Sequence, residues 1–364
     1  MKTVPDSNRT SQAPFTAFLQ GVTLFFSCIF LLSGCYLLKQ GGYIIRYNRK
    51  AVDIDRILAG EKIPKDTREF LLLVKEIKSY ATREIGLKED KNYTRFIDLD
   101  RHYLADVVSA CRDDAFEPYA WRYPFFGSFP YKGFFEREDA AREARRLKDR
   151  GYDVLVRRVD AFSTLGFFND SVYSFMRDYS VFEMASLIIH EQTHTTLYLR
   201  DQVQFNEELA TFVGNEGALN FIRDYYGPDS PLYRESLARL EDFKSFKEVI
   251  REIYEELQAV YENSASREEK LHVKAAVIEE AKKRFEEQYH ERFKSERFLA
   301  FKDARVNNAY ILAYILYTQD LSLLYDLYEK EGFDLKKTVS ALKALKNYGG
   351  NAKEYVSRVL LARN

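Results

Sequence analysis

The chain has 364 residues, 46% of them hydrophobic, 30% charged and 15% aromatic, with a mean hydropathy of -0.40. That apolar content repays ordering entropy and excludes collagen-like, low-complexity and largely disordered chains, while the hydropathy excludes a multi-pass membrane protein. With 55 Lys+Arg against 56 Asp+Glu the formal net charge is -1, so no bulk field draws the chain toward nucleic acid, which is not expected as a partner.

At the N-terminus, Lys2 and Arg9 precede an apolar run from Phe15 to Leu38, the layout of a secretory signal. The run closes on Leu32-Ser33-Gly34-Cys35, which resembles a bacterial lipobox, where the peptide is cut before the Cys and its thiol carries the lipid. Residues 1–34 are therefore expected to be a lipoprotein signal peptide and Cys35 the lipidated residue. The alternative is an uncleaved single-pass anchor, since about 20 apolar residues span a bilayer. Both tether the remaining chain to a membrane. Cys28 would leave with the signal and Cys111 would stand alone, so no internal disulfide is expected. Tyr36, and not Asp, follows the lipid site. By analogy with bacterial sorting rules this points to the periplasmic side of the cell envelope, on the outer rather than the inner membrane.

Further along, Asp53 to Glu89 and Thr94 to Ala110 read as helices. Pro124, Gly127, Pro130 and Gly133 among aromatics then read as turns and short strands. Glu136 to Arg150 predicts a helix closed by Gly151, and Asp153 to Val159 predicts a strand. Pro231 is the last proline, and beyond it the only glycines are Gly332, Gly349 and Gly350, a breaker-poor helical signature. Phe243, Phe246, Ile250, Ile253 and Leu257 recur at spacings of three and four, as do Ile278, Ala281, Phe285, Tyr289 and Phe293 beyond a polar break at Glu262–Ser266. They predict two long amphipathic helices in an antiparallel hairpin from about Leu237 to Leu299, with a solvated Lys/Glu face. The expected fold is α+β and mostly helical, with a small mixed or antiparallel sheet and this long C-terminal hairpin. It is read as one domain over 35–364, with a helical N-terminal part (43–118), sheet and active-site helices (119–227) and a helical C-terminal part (228–364).

Residues 190–194 read His190-Glu191-Gln192-Thr193-His194, after an apolar run suited to a buried helix. On a helix, positions i and i+4 share one face, so both imidazoles can point at one ion, with Zn–N near ~2.0–2.1 Å. Glu191 is turned by about 100° from His190 and borders the open side of the metal, where a carboxylate can take a proton from bound water. Zinc catalysis also needs a third protein ligand and one vacant position. A second apolar-periodic helix begins at Phe205-Asn206-Glu207-Glu208-Leu209-Ala210, and a Glu from it can reach back across the loop Arg200–Gln204. Asn206-Glu207-x-x-Ala210 resembles the N-E-x-x-A/D segment of gluzincin metallopeptidases, in which the Glu of N-E ligates zinc. The predicted ligands are therefore His190, His194 and Glu207, with Glu208 the competitor for the third place and Glu191 the general base.

In order along the chain come Cys35 at a lipobox, Trp121-Arg122-Tyr123-Pro124-Phe125-Phe126-Gly127, Tyr131-Lys132-Gly133-Phe134-Phe135, Ala161-Phe162-Ser163-Thr164-Leu165-Gly166-Phe167-Phe168, the H-E-x-x-H and Phe205-Asn206-Glu207. Together they resemble the bacterial putative lipoprotein aminopeptidase family of the zinc, H-E-x-x-H type, over about Tyr43 to Tyr328. The resemblance implies a zincin-like fold, Zn2+ as cofactor and a peptide substrate. It also implies an edge strand beside the active-site helix on which substrate pairs, for which Val159–Gly166 is the candidate, with Ser163, Thr164 and Gly166 lining the cleft. Asn308 and Tyr317 lie in a segment that resembles one of the family; Asn308 is a candidate substrate contact and Tyr317 a candidate oxyanion stabiliser. Tyr198 and Tyr131 stay open for that second role, and Asp160 and Glu208 for binding a substrate α-amine.

Two functions remain on this reading. The first is a lipid-tethered zinc peptidase, an aminopeptidase by its family, that hydrolyses peptide bonds with Glu191-activated water. The second is a non-catalytic zincin-like lipoprotein acting as a binding or envelope-assembly factor, with the charged hairpin as its interaction arm. A Glu at position 191, beside both histidines, favours the first, because a non-catalytic protein has no need of a general base.

Overall fold

A computed structural model describes residues 36, 38–123, 127–159, 169–263, 266–315 and 320–362. The chain divides into two units, Met1–Arg49 with Arg122–Ser128, and Lys50–Trp121 with Phe129–Asn364. The described part of the first holds most of helix α1 (38–50), and Tyr36 stacks on Tyr123 with ring centroids 5.9 Å apart. The lipobox and Cys35 lie outside the described residues. Among the described residues no helix is long and apolar enough to cross a membrane.

The second unit opens with strand β1 (Val52–Asp53), the short helix α2 (Ile54–Leu58), capped by the Asp53 carboxylate, and helix α3 (Lys65–Arg83). Strands β2 (Arg95–Ile97), β3 (Ala105–Arg112) and β6 (Tyr131–Phe134) follow in this unit, while β4 (Trp121–Tyr123) and β5 (Gly127–Phe129) belong mostly to the first. Helix α4 (Arg137–Lys148), strand β7 (Tyr152–Val159) and strand β8 (Val172–Tyr173) lead to α5 (Val181–Thr196) and α6 (Val203–Tyr226). The described elements beyond α6 are all helical: α7 (Pro231–Glu262), α8 (Arg267–Glu287), α9 (Tyr289–Arg292), α10 (Asn308–Ile315), α11 (Ser322–Lys330), α12 (Leu335–Leu342) and α13 (Ala352–Tyr355). The class is α+β and mostly helical, as expected.

The described strands form three small sheets. One is mixed, with β2 antiparallel to β1 and parallel to β8. The second is antiparallel in the order β6-β3-β7, and β4 pairs with β5 in the third. Sequence reading fails at β2 and β3, which occupy the segment expected to be a helix over Thr94–Ala110. The cause is burial. β3 is the middle strand, α4 and α10 both pack onto it, and Ala105, Asp106, Val107 and Val108 are all buried in succession. A strand covered on both faces loses the apolar/polar alternation that would mark it.

The C-terminal hairpin forms as its periodicity predicts. Ser266 and Glu269 close a capping box at the start of α8. Glu256 pairs with Arg284 at 2.5 Å and Glu252 with Arg292 at 2.9 Å, the register of an antiparallel pair. Between the helices lie Phe246, Ile250, Ile253, Leu257, Ile278 and Phe285. The fully buried Asp242 accepts bonds from the backbone of Lys294 and Ser295 and from the Ser295 hydroxyl, which fixes the end of the hairpin.

Candidate metal centre

Helix α5 starts at a capping box, in which Ser180 Oγ accepts from Glu183 N at 3.2 Å and the Glu183 carboxylate accepts from Ser180 N at 2.9 Å. Phe182, Met184, Ala185, Ile188 and Ile189 are buried. His190 and His194, one turn apart, are turned toward α6. The far end of α5 is tied down by Gln192, whose amide donates to Thr82 Oγ1 and to the Lys88 carbonyl, both at 3.0 Å. Thr195 Oγ1 donates to Asp90 at 2.7 Å, and Asp90 pairs with Lys78 at 2.8 Å.

Two glycines let α6 lie close to this helix. A Cβ at Gly214 would stand 2.8 Å from the Ser186 carbonyl oxygen and 3.2 Å from His190 Cβ. One at Gly217 would meet Ile85 at 2.8 Å and Ile189 at 3.0 Å. Asn206, 1% exposed, clamps the loop between the helices: its Oδ1 accepts from Leu199 N at 2.9 Å and its Nδ2 donates to Leu199 O at 2.8 Å. This clamp lets a thirteen-residue separation between His194 and Glu207 suffice. In the sequence the signal for this clamp is a carboxamide one residue ahead of a ligand, at the start of a helix.

Three donor groups converge as a result. His190 Nε2 and His194 Nε2 are 3.2 Å apart, and the Glu207 carboxylate lies 3.6 Å from the first and 3.5 Å from the second. Ligand atoms at the corners of a tetrahedron with arms of ~2.0–2.1 Å are about 3.3–3.4 Å apart, so these separations suit a single ion among them. Two imidazole nitrogens this close repel unless a proton or a cation lies between their lone pairs, and the carboxylate supplies a compensating charge. His194 Nδ1 is buried with no hydrogen-bond partner among the described residues, while its Nε2 faces the cluster. Two ring nitrogens and one carboxylate oxygen form a donor set that zinc and other first-row divalent ions accept. The cluster is the one group of His, Cys, Asp or Glu side chains among the described residues that fits a metal ion. Glu208 does not compete: it is buried and turned to Gln204 and Lys353.

The electrostatics are unequal. The neighbouring His190 ring, above all, holds the Glu207 carboxyl below its usual range, and burial together with His190 pushes His194 down. Burial pushes Glu191 the other way, up to about 7, against the pull of His190 and with help from the charges of Asp170, Glu207 and Asp90. Asp170, which sequence reading missed, is itself raised to about 6 by burial and by Asp90. Its backbone joins the 88–93 loop, donating to Asn92 Oδ1 at 3.0 Å and accepting from Tyr93 N at 2.7 Å. No local pattern singles out one Asp whose setting is made by a loop some 80 residues upstream.

The other expected site residues divide into two sets. Cys35, Asp160, Ser163, Thr164, Gly166 and Tyr317 lie outside the described residues. Tyr198 is exposed with its ring 6.2 Å from that of His194, and Tyr131 lies on β6 opposite Ser109. Asn308, expected to touch substrate, is a buried strut instead. It is 0% exposed, its Oδ1 accepts from Tyr261 Oη at 2.9 Å, its Nδ2 donates to Arg112 O at 2.9 Å and its N–H donates to Asp153 at 2.8 Å. Every polar group it has is used inside the fold. His102, His272 and His290 are exposed, away from any metal-fitting cluster among the described residues.

A helix carrying H-E-x-x-H, with a carboxylate delivered from the next helix, defines a candidate mononuclear metal centre. A family model described as "Putative aminopeptidase" matches residues 35–356, and the chain belongs to that family. No curated protein and no solved structure matches the chain.

Proposed function

We propose that the protein is a zinc-dependent peptidase with a zincin-like active site, an aminopeptidase by its family, whose general base is Glu191. The observation that carries this reading is the convergence of His190, His194 and Glu207 within tetrahedral-edge distances, with Glu191 next to the first of them. A divalent ion held there would polarise a substrate carbonyl and acidify a water molecule in its open position. The chain's own residues do the rest. Burial raises the Glu191 carboxyl above the usual carboxylate range, which makes it a stronger proton acceptor. It takes a proton from the attacking water and returns it to the departing amine. The two histidines bind metal through neutral rings, a form that burial favours at His194.

Strand β7 pairs with β3 along one edge and is the edge strand of its sheet among the described residues. An extended substrate peptide would pair along Val159–Gly166, of which Val159 alone is among the described residues. Lipid on Cys35 would tether the enzyme to the periplasmic face of the bacterial envelope, on the outer membrane; the family match begins at this residue.

The test uses the full chain purified in detergent. Bound zinc is measured, and aminoacyl and internally quenched peptides are assayed with wild type and Glu191→Gln. Both proteins should hold zinc, and the variant should lose about 10²–10⁴-fold in rate, the usual contribution of a positioned acid–base group. Stoichiometric zinc with no peptide cleaved by either protein would instead support a non-catalytic, zinc-holding protein.

A further inference from the structure

Glu208 directly follows the metal-facing Glu207, yet its side chain is only 3% exposed. It is held there by Gln204 Nε2 at 2.9 Å and by Lys353 Nζ at 2.7 Å. Lys353 comes from α13, near the end of the chain. The same segment reaches the start of α6 twice more: Gln202 Nε2 donates to the Gly350 carbonyl at 3.1 Å, and Ala352 N donates to Gln202 Oε1 at 2.8 Å. Gln202 and Glu208, at the start of α6, are thus both held by the C-terminal segment.

A buried carboxylate deprived of its cation must reach water or take up a proton. Residues 207 and 208 are about 100° apart around the helix, so a turn of α6 that brings Glu208 to solvent swings Glu207 off the histidines. The geometry points to the segment Gly350–Lys353 as a latch that positions Glu207, with Lys353 as its positioning residue, so that metal occupancy and docking of the C-terminal segment favour one another. Linkage makes the coupling reciprocal: whatever the latch adds to metal affinity, metal adds to latch docking. This rests on the reading that His190, His194 and Glu207 hold a metal.

The experiment measures the zinc dissociation constant of the full chain, in detergent, by competition with a chromophoric chelator for wild type, Lys353→Met and Lys353→Arg. Hydrogen exchange over 348–362 is followed with and without zinc. Lys353→Met should bind zinc about 10–100-fold more weakly, a loss like that seen when a group that orients a ligand is removed, and Lys353→Arg should restore most of it. Zinc should slow exchange over 348–362 in the wild type. Wild-type zinc affinity in a folded Lys353→Met overturns the latch and leaves the metal site standing. If Lys353→Met does not fold, the exchange result decides, and exchange over 348–362 that is indifferent to zinc overturns the proposal. A wild type that takes up no zinc overturns the metal reading and the latch with it.

Discussion

Gly214 lies against His190 with no room for a side chain: an added Cβ would come within 3.2 Å of His190 Cβ and 2.8 Å of the Ser186 carbonyl oxygen. The tightest contact is with a backbone carbonyl, and the Cβ of His190 is fixed by its own backbone, so no flexible side-chain end can yield to relieve it. Gly214→Ala should therefore separate α5 from α6, despite the better helix propensity of Ala. Overpacking of this kind costs about 1–3 kcal/mol, and propensity returns up to about 1 kcal/mol. Thermal unfolding of the metal-free variant should show a net loss, and zinc titration a weaker site, because His190 is pushed away from Glu207. An Ala variant that matched wild type in both would mean that the helices are not set by this contact.

Asp170 gives a pH signature. Its carboxyl is raised from 3.8 to about 6 in the fold, foremost by burial, so the folded state binds the proton more tightly than the unfolded one. By linkage, its contribution to stability is fully present below about pH 4 and is lost as pH rises through about 6. Asp170→Asn removes this titration. In the presence of a chelator, the variant should gain on wild type between pH 4 and 6 and hold a constant advantage above, at most about 3 kcal/mol. Denaturant unfolding across pH 4–8 measures it; a stability difference that does not change with pH would contradict the assignment.

Asn308 should behave as a structural residue. Asn308→Ala removes the partners of Tyr261 Oη and of the Arg112 carbonyl inside the fold. A cost of about 1–3 kcal/mol is expected from the unsatisfied groups. Denaturant unfolding should show that loss, while KM for any cleaved peptide stays near the wild-type value. A raised KM at unchanged stability would return Asn308 to the substrate site.

What could be read from the sequence, and what could not, follows from how far apart the deciding residues lie. H-E-x-x-H is legible because its spacing coincides with one turn of a helix, and the C-terminal hairpin because its apolar residues recur at helical spacing over Phe243–Leu257 and again over Ile278–Phe293. The choice between Glu207 and Glu208 is not legible locally, since the residue that draws Glu208 aside is Lys353, at the other end of the chain. Strand β3 reads as helix because cover on both faces erases its alternation. Asn308 shows the converse: a carboxamide in a buried hydrogen-bond hub and one in a cleft are the same letter, and only Tyr261, Arg112 and Asp153 around it distinguish them. Asp170 owes its setting to Asn92 and Tyr93, which only the pairing of β2 with β8 brings near.

Zinc-edge X-ray absorption and metal analysis of the full chain, compared with His190→Ala and Glu207→Ala, test the metal centre most directly. Wild type should hold one zinc per chain, with nitrogen and oxygen neighbours at about 2.0–2.2 Å, and each substitution should strip it or weaken it severely. Zinc retained undiminished without His190 or Glu207, or a wild type that takes up none, would contradict the account.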